Sequence, residues 1–132
     1  MTRLVRADAS DAERYLVYLA VAIGGLSLFG GLGLVFTAVA ISVNPLAIPT
    51  GRMGAALLVA AGVYLPTGAV LARTRSAVAW SVLMIGFVIH GVAGSVLVSM
   101  GSIVPAVIGL YLGYRAATGT DYGIPYLSAA KQ

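Results

Sequence analysis

The sequence contains no cysteine and a single histidine among its 132 residues. Without cysteine the chain can form neither a disulfide nor a thiolate metal site, and one histidine is too few for a multi-histidine metal centre. We find no motif of a catalytic site in the remaining residues. The sequence therefore predicts a protein that is not an enzyme and that holds no metal centre within one chain.

Charge is also scarce, because only 9% of the residues are charged whereas 60% are hydrophobic. Soluble domains carry about 25% charged residues. A soluble chain of this length would bury only about two thirds of its surface, which leaves too little interior for so many apolar side chains. Together with a mean hydropathy of +0.99, this composition predicts an all-α integral membrane protein in contact with the lipid bilayer.

The positions of the charged residues predict how many times the chain crosses the membrane. They leave uncharged runs of 37 residues (15–51), 20 residues (53–72) and 39 residues (76–114), and one crossing needs about 20. Asn44, Pro45 and Pro49 end the first run as a loop, and turn residues at 99–102 divide the third. One transmembrane domain (1–132) is predicted, with helices at approximately 11–43, 53–72, 77–98 and 103–118 and an interfacial tail at 119–132.

The start of the first helix has a local signal. Ser10 and Glu13 are spaced as in a capping box, in which the serine hydroxyl and the glutamate carboxylate each accept a hydrogen bond from a free backbone N–H at the helix N-terminus. The pattern predicts that the helix begins near residue 10.

The lysines and arginines predict the orientation. With four crossings, seven of the eight lie on the side that holds both termini, and only Arg52 lies on the other. The positive-inside rule then places the N- and C-termini in the cytoplasm. Because this rule accounts for the net charge of +4, we expect no nucleic-acid partner. Interfacial anchors are predicted at Tyr15, Trp80, Tyr114 and Arg115.

An internal similarity suggests that the chain is a duplicated helical hairpin. Met53-Gly54 and Gly62-Val63-Tyr64-Leu65 recur as Met100-Gly101 and Gly109-Leu110-Tyr111-Leu112, always 47 residues later. Chance remains an alternative explanation, because small and apolar residues fill both halves.

No aspartate, glutamate, lysine or arginine is predicted deep in a membrane helix, and His90 is the exception among side chains that ionise near neutral pH. Gly86 and Gly94 lie four residues to either side and share its face, so a flat ligand or another backbone could fit there. His90 is a candidate axial ligand of haem or a pigment, or a site in a transport path. Alternatively it is a structural imidazole that faces protein and bonds a neighbouring helix, so that His90→Leu costs roughly 1 kcal/mol.

Small residues four apart predict close helix contacts. Gly91 and Ser95 lie on the third helix, and Gly109 and Gly113 on the fourth. Such faces let two backbones approach closely. The contacts are expected within the bundle or in a homo-oligomer, since the pattern fits both.

These features favour a non-catalytic, small multi-pass protein that acts as a structural or accessory subunit of a larger membrane assembly. That assembly would be a respiratory or transport complex or the membrane of a virion, with other membrane subunits as partners. The alternatives are a small oligomeric transporter or channel that uses His90 and the glycine-rich faces, and a haem- or pigment-binding subunit. Flux into proteoliposomes and an absorbance spectrum would distinguish them.

Overall fold

The computed structural model describes residues 4–97 and 100–118, and its helices agree in number with the prediction. They are α1 (Asp11–Ala40), α2 (Ala47–Arg73), α3 (Ala77–Leu97) and α4 (Ile103–Thr118), and a 3-10 turn (Met100–Ser102) precedes α4. The described part of the chain is all-helical, which confirms the predicted all-α class. The predicted interfacial tail at 119–132 lies outside the described residues.

The first loop is shorter than predicted. Helix α1 ends at Ala40 rather than residue 43, and α2 begins at Ala47, six residues before the expected start at residue 53. Pro49 caused the error, because it is a loop signal in the sequence. It is the third residue of α2, where the backbone N–H of an ordinary residue would have no partner within the helix.

Helices α1, α2 and α3 are long and apolar enough to cross a bilayer. At 1.5 Å per residue their 30, 27 and 21 residues span about 45, 40 and 31 Å, compared with a hydrocarbon core of about 30 Å. Helix α4 has only 16 residues and spans about 24 Å. Length and composition therefore identify three candidate spans and one shorter apolar helix.

The capping box predicted at the start of α1 is confirmed. The Glu13 backbone N–H donates to Ser10 Oγ over 3.2 Å, and the Ser10 backbone N–H donates to Glu13 Oε2 over 2.6 Å. Two of the free donors at this helix end are thus satisfied by side chains.

The core lies towards the end of the bundle that holds the start of α1 and the connection between α2 and α3. Its largest fully buried apolar side chains are Leu16, Val17, Leu71, Leu83 and Phe87. Large apolar side chains are also exposed along the outside of the bundle, among them Leu26, Phe29 and Phe36. So much exposed apolar surface is unusual for a soluble monomer and typical of a protein that contacts lipid or other proteins.

Glycines bring α1 and α2 together. A Cβ atom added to Gly54 would lie 2.9 Å from the carbonyl oxygen of Gly31 and equally close to the backbone nitrogen of Val35. One added to Gly24 would lie 2.7 Å from Leu65 Cγ. The two helices approach at distances that only glycine permits, as in small-residue contacts between membrane helices.

The positions related by the 47-residue offset have different surroundings. Tyr64 is 2% exposed whereas Tyr111 is 57% exposed, and Gly54 is buried in a helix whereas Gly101 is exposed in the 3-10 turn. The duplicated hairpin therefore stays a prediction.

Candidate functional site

A buried ion cluster joins the N-terminal segment to the rest of the bundle. Glu13 is 1% exposed, and its Oε1 accepts hydrogen bonds from Arg6 Nη2 over 2.6 Å and from Arg75 Nε over 2.7 Å. We call Arg6, Glu13 and Arg75 the Glu13 cluster. The sequence pattern predicts only the capping role of Glu13, because Arg75 is 62 residues away along the chain and no local pattern links the two.

Both arginines of the Glu13 cluster also bond backbone carbonyl groups. Arg6 Nη1 donates to the carbonyl of Leu71 over 2.6 Å, and the Arg6 backbone N–H donates to that of Ala72 over 2.9 Å. Arg75 Nη2 donates to the carbonyl of Asp8 over 3.1 Å. These bonds hold the segment before α1 against the end of α2. Since both carboxylate oxygens of Glu13 already accept bonds from protein donors, the cluster suits a structural role better than ligand binding.

His90 lies on α3, half-buried, with its ring edge-on to the ring of Tyr64; the ring centroids are 6.1 Å apart. Among the residues that the structure describes, none forms a hydrogen bond with the imidazole of His90. The residue thus contacts protein on one side, but the hydrogen-bond partner expected from its depth is not found in this part of the chain.

The glycines that flank His90 accommodate neighbouring residues. A Cβ atom at Gly94 would lie 2.6 Å from Ser102 Cβ, so the 3-10 turn packs directly on it. At Gly86 a Cβ atom would meet Val63 at 3.7 Å, and the Gly86 carbonyl accepts a hydrogen bond of 3.4 Å from the Tyr64 hydroxyl. The 3-10 turn thus packs on Gly94, whereas Gly86 leaves α2 at ordinary van der Waals distance, and the groove for a flat ligand or another backbone stays a prediction.

A cavity of about 630 Å³ lies beside His90, between α2, α3 and the 3-10 turn. Three polar residues contribute to it, namely Arg52, His90 and Ser102. The rest of the lining is apolar and consists of Pro49, Met53, Ala56, Leu57, Ala93 and Gly94. Its volume falls within the range of about 300–1,000 Å³ typical of small-molecule sites. The sequence does not predict this cavity, because nothing in the pattern of α2 shows that residues 49–57 face His90.

The described residues hold no group of three or more side chains able to bind a metal ion. Within this part of the chain His90 has no histidine or carboxylate neighbours that could complete such a site.

The small residues predicted to mediate helix packing have the following positions. Gly109 and Gly113 are buried, and a side chain added to either would collide with Phe87 or Met84, respectively. A Cβ atom at Gly91 would lie 3.0 Å from Ala106 Cβ. Ser95, in contrast, uses its hydroxyl to donate to the carbonyl of Val92 in its own helix, over 3.0 Å.

Of the predicted interfacial anchors, Tyr15, Tyr114 and Arg115 are exposed at the same end of the bundle as the Glu13 cluster. Trp80 is half-buried, and its Nε1–H donates to the carbonyl of Gly113 over 3.0 Å. This indole thus links α3 to α4, a role that its position in the sequence did not reveal.

No protein-family model, curated protein or solved structure matches the chain.

Proposed function

We propose that this chain is a multi-pass membrane protein with four crossings and cytoplasmic termini, and that it acts as a non-catalytic accessory subunit of a larger membrane assembly. The membrane location is supported by three long apolar helices and by the large apolar side chains exposed around them. The orientation is supported by the excess of lysine and arginine on the side of the termini.

The accessory role depends on one observation at the end of the hairpin formed by α1 and α2. Five large apolar residues there are 63% to 99% exposed. We call them the apolar tip, and they are Phe36, Val39, Val43, Leu46 and Ile48. Connections between helices usually lie at the protein surface in water and are polar. Exposed apolar side chains at this connection are therefore expected to be buried against lipid or another protein.

Helix length supports a position at or beyond the lipid headgroups for Val43 and Leu46, the members of the apolar tip that follow α1. Between Arg14 and Ala40, α1 rises about 39 Å, which exceeds the hydrocarbon core of about 30 Å. A tilt of about 40° would be required to keep this length inside the core, and that value is the upper end of the range for membrane helices. We therefore propose that another membrane protein covers the apolar tip.

Site-specific crosslinking in native membranes tests this proposal. A photoreactive amino acid at Val43 should give a discrete adduct with another membrane protein. The same probe at Val78, which is also exposed but lies in the first turn of α3, should give none. If Val43 yields only adducts with lipid or with a second copy of this chain, the accessory role is wrong.

The orientation is tested by cysteine labelling, which is simple because the native chain has no cysteine. Ala7→Cys should be protected from a membrane-impermeant maleimide in intact cells, whereas Thr50→Cys should react. Both positions are outside the apolar cores of α1 and α2. Labelling of Ala7→Cys from outside would contradict cytoplasmic termini.

The cavity beside His90 favours a second candidate function, an oligomeric transporter or channel. Its test is the flux of solutes into proteoliposomes, which should be abolished by His90→Leu under this alternative and absent altogether under the accessory role. The haem or pigment alternative, with His90 as the axial ligand, stays a prediction; the structure adds that Ser102 packs on Gly94. A Soret band in the absorbance spectrum of the purified protein would support this alternative.

A further inference from the structure

We propose that the cavity between α2, α3 and the 3-10 turn binds one amphiphile that has an anionic headgroup and an acyl chain, with the headgroup at Arg52. This inference goes beyond the accessory role, because the cavity residues are distinct from those of the apolar tip. Three features carry it: the isolated charge of Arg52, the apolar lining, and the polar groups on the opposite wall.

Arg52 is the only charged residue between Glu13–Arg14 and Arg73 in the sequence. It is exposed, and it forms no ion pair or hydrogen bond with any residue in the described ranges. The side-chain carboxylates in those ranges are Asp8, Asp11 and Glu13. All three lie at the start of α1 or just before it, and they pair with Arg6, Arg14 or Arg75. The cavity therefore has a positive charge at its edge that no described carboxylate balances, and an anion complements it.

The apolar side chains around Arg52 favour a ligand that has a large apolar part. Met53, Ala56 and Leu57 form the α2 wall, and Ala93 lies on the α3 wall. Burying an acyl chain against such side chains is favourable by about 25 cal/mol per Å² of apolar surface. A small hydrophilic anion such as free phosphate would gain nothing from these walls, whereas an anionic amphiphile uses both the charge and the apolar surface.

The side of the cavity formed by α3 and the 3-10 turn has groups that can form hydrogen bonds with the bound amphiphile. His90 and Ser102 both line the cavity, and the side chain of neither is hydrogen-bonded to another described residue. Polar groups in a largely apolar cavity favour a ligand that satisfies them. The ester carbonyl of a phospholipid can accept from these groups, as can the second carboxylate oxygen of a fatty acid whose first oxygen bonds Arg52, so the two sources share the chemistry that the cavity recognises.

Photolabelling in lipid nanodiscs tests the proposal. The full-length protein is placed in phosphatidylcholine discs that contain a trace of one probe with a diazirine in its acyl chain. The probes are a phosphatidylglycerol, a free fatty acid and a phosphatidylcholine. We expect at least one anionic probe to label peptides containing residues 53–57 or 93–94 several-fold more than the choline probe. Which anionic probe labels more identifies the source.

Matched variants separate the cavity from general contact with lipid. Arg52→Gln should reduce anionic labelling to the level of the choline probe, whereas Arg73→Gln, which removes another exposed arginine at the opposite end of α2, should leave it unchanged. Ala56→Trp should fill the cavity and abolish labelling of its walls. Ala69→Trp, at an exposed position of α2 that does not line the cavity, should not.

Three results would overturn the proposal. They are equal labelling by anionic and choline probes, unchanged labelling in Arg52→Gln, and adducts spread evenly over the lipid-facing residues of all helices. Gel filtration of each variant shows that a loss of labelling does not come from unfolding. None of these results bears on the crosslink from Val43, so the accessory role and the lipid site can fail independently.

Discussion

The two ends of the bundle are held together differently. We call the end with the Glu13 cluster the charged end, and the end with residues 49–57, His90 and Ser102 the cavity end. At the charged end, Glu13 and its two arginines are joined by ion pairs of 2.6 and 2.7 Å, and Leu16, Val17 and Leu71 nearby in the chain are fully buried. At the cavity end, α2 and α3 leave about 630 Å³ between them. Ion pairs and buried side chains at one end thus coexist with open space at the other.

The connections between the helices explain the difference. Only Thr74–Ser76 separate α2 from α3, so these helices are forced together at the charged end. Tyr64 maintains contact in the middle of α2, where its ring lies against Phe87 with centroids 5.4 Å apart. At the other end no short connection joins α2 to α3, because the start of α2 is connected to α1 and the end of α3 leads towards the 3-10 turn. A cavity can therefore persist at that end without opening the core.

The largest effect on the free energy of unfolding is expected from removing the carboxylate of Glu13 at the charged end. Glu13→Ala leaves Arg6 and Arg75 in a partly buried site without their shared carboxylate, and removing one partner of a buried pair costs about 3 kcal/mol. We expect a decrease of this size in the free energy of unfolding, measured by titration with a denaturing detergent. Asp11→Asn removes an exposed ion pair with Arg14 and should cost less than about 0.5 kcal/mol. Similar losses in both variants would show that the Glu13 cluster does not stabilise the charged end.

The next effect tests the close approach of the α1 and α2 backbones at Gly54. Gly54→Ala places a methyl group 2.9 Å from backbone atoms of Gly31 and Val35, and such overpacking should cost about 2 kcal/mol. Gly62→Ala provides the control on the same helix, because a Cβ atom there meets nothing within 4 Å. It should be neutral or should stabilise by up to about 1 kcal/mol, since alanine favours helix more than glycine. The same detergent titration measures both. A Gly54→Ala variant as stable as Gly62→Ala would contradict the close approach.

A smaller effect is expected where α3 meets α4. Trp80→Phe removes the hydrogen bond from Nε1 to the carbonyl of Gly113 and should lower the free energy of unfolding by about 0.6 kcal/mol, the average for such bonds between membrane helices. Tyr114→Phe removes only an exposed hydroxyl and should change nothing measurable. If Trp80 served only as an interfacial anchor, Trp80→Phe would leave the stability of the detergent-solubilised bundle unaltered.

The smallest effect is expected at the cavity end. His90→Leu should change the free energy of unfolding by no more than about 0.5 kcal/mol, as for substitutions outside the packed core. The sequence alone predicts a loss of about 1 kcal/mol, which requires a hydrogen-bond partner that the described residues do not supply. Thermal melting of His90→Leu and His90→Gln in detergent separates these values. A loss near 1 kcal/mol in His90→Leu alone would point to a partner outside the described residues.

Local signals in the sequence determined the elements of this fold. The long uncharged runs predicted four helices, and the Ser10–Glu13 spacing predicted the start of α1, because both features depend on residues close together in the chain. Pro49 misled the prediction at the start of α2, since a proline in the first helical turn has the same sequence signal as a proline in a loop.

Only the tertiary structure decided how these elements meet. The helices are apolar on nearly every side, so their composition does not indicate which face is buried, and nothing in the sequence distinguishes Gly54, which touches the backbone of α1, from Gly62, which faces open space. Likewise, Glu13 and Arg75 are paired by the return of the chain after two long helices. Hydropathy and capping are properties of neighbouring residues, whereas the ion cluster, the cavity and the glycine contacts depend on the rotation and separation of whole helices.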